Sequence, residues 1–251
     1  MIYWSRELSL GSFVFSRVNM HVTAIIVAAG EGKRLGGQVS KSFFPIAGRP
    51  LVLRTLDRFF STQSIEKVIL VVAEKELRPS QALIQNDPNL SHRPWVLQVG
   101  GATRQESVRR GLEKLDTDCE IVAIHDGARP FVSSSLIDRC VDEAHRVGSV
   151  VIGVPVRDTI KVVSEEHWVQ ATPARNTLWD IQTPQVFRKE IIVEAHDCGV
   201  RQSIEATDDA MLVERIGQPV FLLEGERTNI KITVPEDIWL AEALLRDGRA
   251  C

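Results

Sequence analysis

Ala24-Ile25-Ile26-Val27 runs without a break into Ala28-Ala29-Gly30-Glu31-Gly32-Lys33-Arg34-Leu35-Gly36-Gly37, and the reading of this junction decides the fold. Four successive apolar residues without polar alternation are the pattern of a strand covered on both faces. The glycine-rich turn that follows then lies at the carboxyl edge of a sheet, where open α/β folds bind ligands. Glycine lets the backbone approach a phosphate closely, and free N–H groups in such a turn form a nest for an anion. The turn is no dinucleotide fingerprint, because G-x-G-x-x-G would need glycine at Leu35. It is no Walker A loop either, since no Gly-Lys-Ser/Thr follows at the required spacing. It carries Lys33 and Arg34, with Lys41 close behind. Cations gathered beside glycines in a chain of net charge −3 point to phosphate binding of another type, with a flexible solvated loop as the competing reading.

Outward from this junction the chain alternates two periods. Val68-Ile69-Leu70-Val71-Val72, Val96-Leu97-Gln98-Val99, Ile121-Val122-Ala123-Ile124 and Val150-Val151-Ile152-Gly153-Val154 repeat the buried-strand pattern. Helical stripes lie between them: Leu53, Leu56 and Phe60 after Pro50; Val108, Leu112 and Leu115 with Thr103 as a cap; and Leu136, Cys140, Val141 and Ala144. Such alternation predicts an α/β fold with a doubly wound, mostly parallel sheet. Residues 155–178 break the rhythm. Lys161-Val162-Val163 and His167-Trp168-Val169-Gln170 flank the polar Ser164-Glu165-Glu166, which reads as an inserted β-hairpin. It is either an arm that packs on a partner subunit or an edge hairpin on the same sheet. Phe221-Leu222-Leu223 and Ile230-Lys231-Ile232 read as further strands, and Pro235-Glu236-Asp237 opens a last helix with acidic residues suited to its dipole.

A chain of 251 residues buries a core without staples. Its 30 Lys+Arg against 33 Asp+Glu create no global field for nucleic acid or an anionic membrane, so neither partner is expected. Cys119, Cys140, Cys198 and Cys251 form no CxxC and no Cys/His pair at zinc spacing, which argues for a reducing compartment without a disulfide framework or structural zinc. No apolar stretch approaches the ~18 residues of a membrane span. Residues 1–19 show no apolar h-region or cleavage site for secretion and read as an extension that is disordered or not native, with Met20 directly before the first strand pattern.

Other stretches carry chemistry. In His125-Asp126-Gly127-Ala128-Arg129-Pro130, Asp126 can hold a divalent metal or a ribose hydroxyl and Arg129 can meet a phosphate; an Asp126–Arg129 salt bridge closing the loop is the alternative. His125 could be a general base but reads as structural. Gly100-Gly101-Ala102-Thr103-Arg104-Gln105-Glu106-Ser107 follows a strand and starts a helix, a place suited to anion or base recognition. Thr207-Asp208-Asp209 reads as an N-cap, and the lone Lys231 after Asn229-Ile230 says little alone.

Together these stretches resemble the 2-C-methyl-D-erythritol 4-phosphate cytidylyltransferases of the non-mevalonate isoprenoid pathway. From about His21 to Leu245 the chain carries AAGEGKRLGG with Lys41, then GGATRQESV, HDGARPF, PVRDTIK, RNTLWDIQTPQVF, TDDA and EGERTNIKIT. Each is weak alone; the ordered series is specific. The resemblance implies a Rossmann-like domain over residues 20–251 with a dimerisation arm near 155–178. It also implies Mg²⁺, a homodimer, a bacterial cytoplasmic location (plastid in a eukaryote), and transfer of a cytidylyl group from CTP to a polyol phosphate. Position by position, Arg34 and Lys41 resemble the pair that stabilises the transition state. Ala28, Ala29, Gly30, Gly100, Gly101, Ser107 and Asp126 resemble the nucleotide site, and Arg129, Thr159, Arg175, Thr183, Thr207, Asp208 and Lys231 the acceptor's surroundings. No direct metal ligand is implied beyond Asp126 as a candidate, the ion resting mostly on CTP phosphates. Ser42 and Gly127 depart from the frequent Gln and Ala. A different acceptor on the same scaffold, such as ribitol 5-phosphate, is the alternative; Arg175 and the Thr-rich shell favour methylerythritol phosphate.

Overall fold

A computed structural model describes residues 20–30 and 41–248; the expectations for residues 1–19, Lys33 and Arg34 fall outside them. In chain order the main elements are β1 (Val22–Val27), β2 (Pro45–Ile46), β3 (Arg49–Pro50), α1 (Leu51–Phe60), β4 (Lys67–Val72), α2 (Leu77–Gln85), β5 (Trp95–Val99), α3 (Arg104–Leu112), β6 (Ile121–Asp126), α4 (Ser134–Val147) and β7 (Ser149–Pro155). There follow β8 (Val162–Val163), β9 (Val169–Ala171), β10 (Trp179–Arg188), α5 (Lys189–Arg201), α6 (Asp209–Arg215), β11 (Phe221–Glu224) and α7 (Pro235–Arg246). Seven strands form one sheet in the order β11-β7-β10-β6-β1-β4-β5. β1 pairs in parallel with β4 and with β6, β4 with β5, and β7 with β11. Since the chain leaves β1 toward β4 and β5 and later returns to β6 on its other side, the order reverses at the carboxyl ends of β1 and β6. That crevice is where a doubly wound sheet takes its ligand.

The unalternating strands are two-faced, as their composition requires. Val22, Ala24 and Ile26 of β1, with Ile121 and Ala123 of β6, pack with Leu53, Leu56 and Phe59 of α1 and Leu136, Cys140 and Val141 of α4. Ile25, Val122 and Ile124 face the other layer, with Val108 of α3, Ile192 of α5 and Leu212 of α6. Thr103 Oγ1 caps α3 by accepting from the N–H of Glu106 at 3.0 Å, and Ser133 Oγ caps α4 through the N–H of Leu136 at 3.1 Å. Gly148, at a φ of 96°, ends α4 in a conformation that side chains resist.

The structure changes two expectations. Ile230–Ile232 is no strand: the N–H of Ile232 donates to Ala128 O at 2.9 Å, and Ile230 and Ile232 pack against α7 in a third, smaller core. Conversely, β10 goes unannounced by the pattern yet runs antiparallel between β6 and β7. Its ladder with β7 shifts register between Gln182 and Val186, the stretch that holds Pro184, which has no N–H to give. The hairpin is present, with β8 and β9 forming a two-stranded sheet of their own, so it is not an edge of the main sheet. It leaves the body between Val156 and Leu178, whose N–H···O bond measures 3.1 Å, and exposes Val162, Val163, Trp168 and Val169.

Because Phe187 of β10 is fully buried in the α5/α6 layer, Phe187→Ala is expected to cost about 3–5 kcal/mol. Urea unfolding should show a lower midpoint at unchanged slope; a loss below about 1 kcal/mol would place β10 outside the core.

Candidate active site

Two turns built from small residues line the crevice. Ala28, at the end of β1, donates its N–H to Val71 O at 2.7 Å, and the N–H of Gly100 reaches Val72 O at 2.8 Å. A Cβ on Gly100 would stand 2.5 Å from that of Ala29 and 2.8 Å from Ser107 Oγ, so only glycine lets the two turns come together. The Ser107 hydroxyl accepts from the N–H of Gly101 at 3.0 Å and donates to Thr103 O at 2.8 Å, which fixes the second turn. The buried Ser42 hydroxyl donates to Ala28 O at 3.0 Å. It thereby brings the backbone of Lys41, first residue of a short 3-10 helix, beside the first turn.

Asp126 closes β6 at the centre of the crevice. Its side chain is 11% exposed, with Oδ2 2.6 Å from Lys231 Nζ and Oδ1 3.0 Å from Arg104 Nε. Burial pushes this carboxyl up, but Arg104 and Lys231 outweigh burial and hold it well below the usual carboxylate range. Arg104 continues the chain: Nη1 lies 2.8 Å from Asp209 Oδ2, and Oδ1 of that fully buried carboxylate lies 3.1 Å from His196 Nε2. The loop-closing Asp126–Arg129 pair is not what forms. Arg129 donates instead to Asn229 O at 2.7 Å, because burial of Asn229 fixes that carbonyl within reach while Arg104 and Lys231 occupy the carboxylate. Arg129 Nε and Arg104 Nη2 are buried without a partner among the described residues.

His125 has the structural part that its chemistry allows. Its Nε2 lies 2.9 Å from Arg129 O, which only accepts, so Nε2 carries the proton. Nδ1 then accepts from the Thr183 hydroxyl at 3.0 Å, and that oxygen accepts from the N–H of Asp126 at 3.1 Å. Thr183 thus orients the Asp126 backbone from β10. Burial lowers the imidazole pKa to about 4.

The geometry matches a family. The model of the 2-C-methyl-D-erythritol 4-phosphate cytidylyltransferases matches residues 22–247. The chain belongs to this family. The cytidylyltransferase of Caldanaerobacter subterraneus subsp. tengcongensis is 43% identical over 90% of this chain and 100% of its own, and that of Desulforamulus reducens is 43% identical over 90% and 96%. Among solved structures, the 4-diphosphocytidyl-2C-methyl-D-erythritol synthase of Anaerococcus prevotii superposes with a TM-score of 0.81 at 30% identity, covering 91% of this chain and 97% of its own. The Thermus thermophilus cytidylyltransferase gives 0.73 at 36%, covering 90% and 100%.

Against the cytidylyltransferase pattern, the structure gathers Ala28, Ala29, Gly100, Gly101, Ser107, Asp126 and Lys231 around the crevice, with Thr183 behind Asp126. Asp208 caps α6, its Oδ1 accepting from the N–H of Met211 at 2.9 Å while Oδ2 accepts from Gln185 Nε2 at 2.8 Å. Thr207 is an exposed neighbour of that cap. Thr159 and Arg175 lie in the hairpin, where Arg175 Nη1 donates to Arg157 O at 2.8 Å; neither is in hydrogen-bond contact with the Asp126 cluster. Arg104, Asp209 and His196 carry no local signal of this cluster, although Arg104 and Asp209 sit inside GGATRQESV and TDDA.

The depressed His125 pKa fixes a sign. The unfolded imidazole, near 6.5, binds its proton at higher pH than the folded one, near 4. Stability is therefore full above pH 6.5 and falls by about 3 kcal/mol as the pH drops to 4. His125→Gln is expected to flatten that limb in urea titrations at stepped pH; an unchanged limb would show that His125 is not its source.

Proposed function

We propose that this crevice transfers a cytidylyl group from CTP to 2-C-methyl-D-erythritol 4-phosphate. A 4-phosphate oxygen of the acceptor attacks the α-phosphorus, the bond to the bridging oxygen breaks, and pyrophosphate leaves. The observation that carries the reading is an ionised carboxylate, shared by a half-buried arginine and an exposed lysine, beside two glycine turns at the switch point of the sheet. Phosphoryl transfer leaves the protein little covalent work, so positioning and charge neutralisation dominate.

In this reading Ala28, Ala29, Gly30, Gly100 and Gly101 offer backbone to the triphosphate and the cytosine, and Ser107 holds their turn. Asp126 meets the nucleotide ribose. Arg34 and Lys41 neutralise the charge that develops on the α-phosphate. Lys231, Arg129, Thr183, Thr207 and Asp208 surround the acceptor. Thr159 and Arg175 reach it from the hairpin of a second subunit, whose exposed Val162, Val163, Trp168 and Val169 supply apolar surface for an isologous contact. Among the described residues no three His, Cys, Asp or Glu gather as a metal cage. Asp126 offers one carboxylate, with lone pairs beyond its two cations, and that suits Mg²⁺ held chiefly by substrate phosphates and water. Such an ion supplies neutralisation of the triphosphate charge. In this reading residues 20–251 act as one transferase domain working in the cytoplasm; among the described residues no helix is long and apolar enough to cross a membrane.

Pyrophosphate release with CTP and Mg²⁺ should require methylerythritol phosphate, with ribitol 5-phosphate and no acceptor giving little; preference for ribitol 5-phosphate would overturn the acceptor. Arg34→Ala and Lys41→Ala should each lower kcat by about 10²–10³ while the Kd for CTP changes far less. Normal turnover with weakened CTP binding would remove them from the transition state.

The shared site has its own test. Lys41→Ala and Arg175→Ala homodimers should both be nearly inactive, yet a refolded equal mixture should regain roughly a quarter of wild-type turnover, because half the dimers are hybrids with one intact site. Hybrids that form and stay inactive would assign Arg175 to its own chain's site.

A further inference from the structure

We propose that Arg104 is a positioning residue for the transfer, acting through Asp126 on Lys231, a role that rests on the reading of the crevice just given. Asp126 has two counter-ions of different freedom. Lys231 stands on a side chain 41% exposed, in a segment without helix or strand, 2.6 Å from Oδ2. Arg104 meets Oδ1 at 3.0 Å, and its other end is tied to Asp209 at 2.8 Å. Asp209 is itself fixed: its side chain is 1% exposed, His196 Nε2 holds Oδ1, and its N–H donates to Gln185 Oε1 at 3.1 Å. Leaving Asp126 would oblige Arg104 to strain or abandon a second buried carboxylate, which is strongly unfavourable. Lys231 can turn toward a ligand with no such cost.

The guanidinium geometry adds to this. Nε and Nη2 share one edge of the planar group, Nη1 and Nη2 another. Nη2 is therefore the corner between the edge on Asp126 and the edge on Asp209, and it is buried without a partner among the described residues. Arg104 thus has donor capacity in hand toward both carboxylates. Arg129, the other guanidinium nearby, donates to Asn229 O, and Thr183 contributes only its hydroxyl to the Asp126 N–H.

When an acceptor phosphate enters, it competes with Asp126 for the Lys231 ammonium. With Arg104 in place Asp126 keeps a counter-ion and its orientation, and Lys231 is free to hold the phosphate. Without Arg104, Lys231 is the one ion-pair partner left among the described residues for a largely buried carboxylate, and the acceptor must separate the pair. Loss of Arg104 is therefore felt first in acceptor binding.

The test is steady-state turnover of the full chain with CTP and methylerythritol phosphate for Arg104→Gln, Arg104→Lys and Asp209→Asn, with the Kd for CTP and the Tm of each. Arg104→Gln should raise the acceptor KM by about tenfold or more, with kcat and the CTP Kd changing by less than about threefold. Arg104→Lys keeps the charge but reaches one carboxylate, and should recover part of that loss. Asp209→Asn, which touches neither substrate, should show the same split in smaller measure. Should Arg104→Gln fail to fold, the other two variants decide. An unchanged acceptor KM, or a fall in kcat alone that tracks the loss of Tm, would overturn the role. Wild-type chain without turnover would overturn the functional reading and this role with it, whereas wild-type turnover with unaltered variants would overturn this role alone.

Discussion

A charge at the end of a buried strand must be answered, and the answer organises this molecule. Asp126 sits where the sheet order reverses, with little water to solvate its carboxylate. An isolated ion there would cost several kcal/mol or take up a proton. Lys231, Arg104 and Asp209 form an alternating chain of charge instead, from the exposed lip of the crevice to the fully buried His196. Each link joins segments distant in sequence: β6, the start of α3, the start of α6 and the stretch before α7. Glycine turns and caps bring those segments together, and the charges link them across the crevice.

Such a chain is weak evidence for stability, because desolvation offsets most of the Coulomb gain between buried ions. Stability comes from the two apolar layers on the sheet, where Phe59, Phe187 and their neighbours are fully buried. What the ionic chain provides is placement. One carboxylate is held ionised in a fixed orientation near a turn at Gly100 too narrow for a side chain, and one cation on it is exposed enough to move. This division between a packed scaffold and a charged, partly mobile edge suits a reaction whose demands are alignment and neutralisation.

Much of this was legible in the sequence. The parallel strands were, because a strand buried on both faces admits only apolar residues, and β1, β4, β6 and β7 obey. The hairpin was, through its short β-branched runs around a polar turn. β10 was not. Gln182, Thr183 and Gln185 interrupt its apolar run because they work as ligands of the interior: Gln182 Nε2 donates to Glu226 O, and Gln185 binds both the Asp208 side chain and the N–H of Asp209. Ile230 and Ile232 alternate around Lys231 as in a strand, yet they anchor an irregular segment against α7. The glycine turns and Asp126 were found from their place after strands. Arg104 was not singled out, since a cation at a helix start reads as a solvated charge, and nothing local shows that two acidic residues 22 and 105 positions away will close on it.

The most direct measurement is the carboxyl ¹³C resonance of Asp126, assigned by comparison with Asp126→Asn and followed in the folded protein as the pH is lowered from 7 to 4. If Arg104 and Lys231 hold this group as the geometry indicates, its chemical shift stays at the ionised value throughout that range, because its pKa lies well below the usual carboxylate range. A titration at or above about 3.9, the value of an unperturbed aspartate, would contradict the assignment and leave the crevice without its fixed charge.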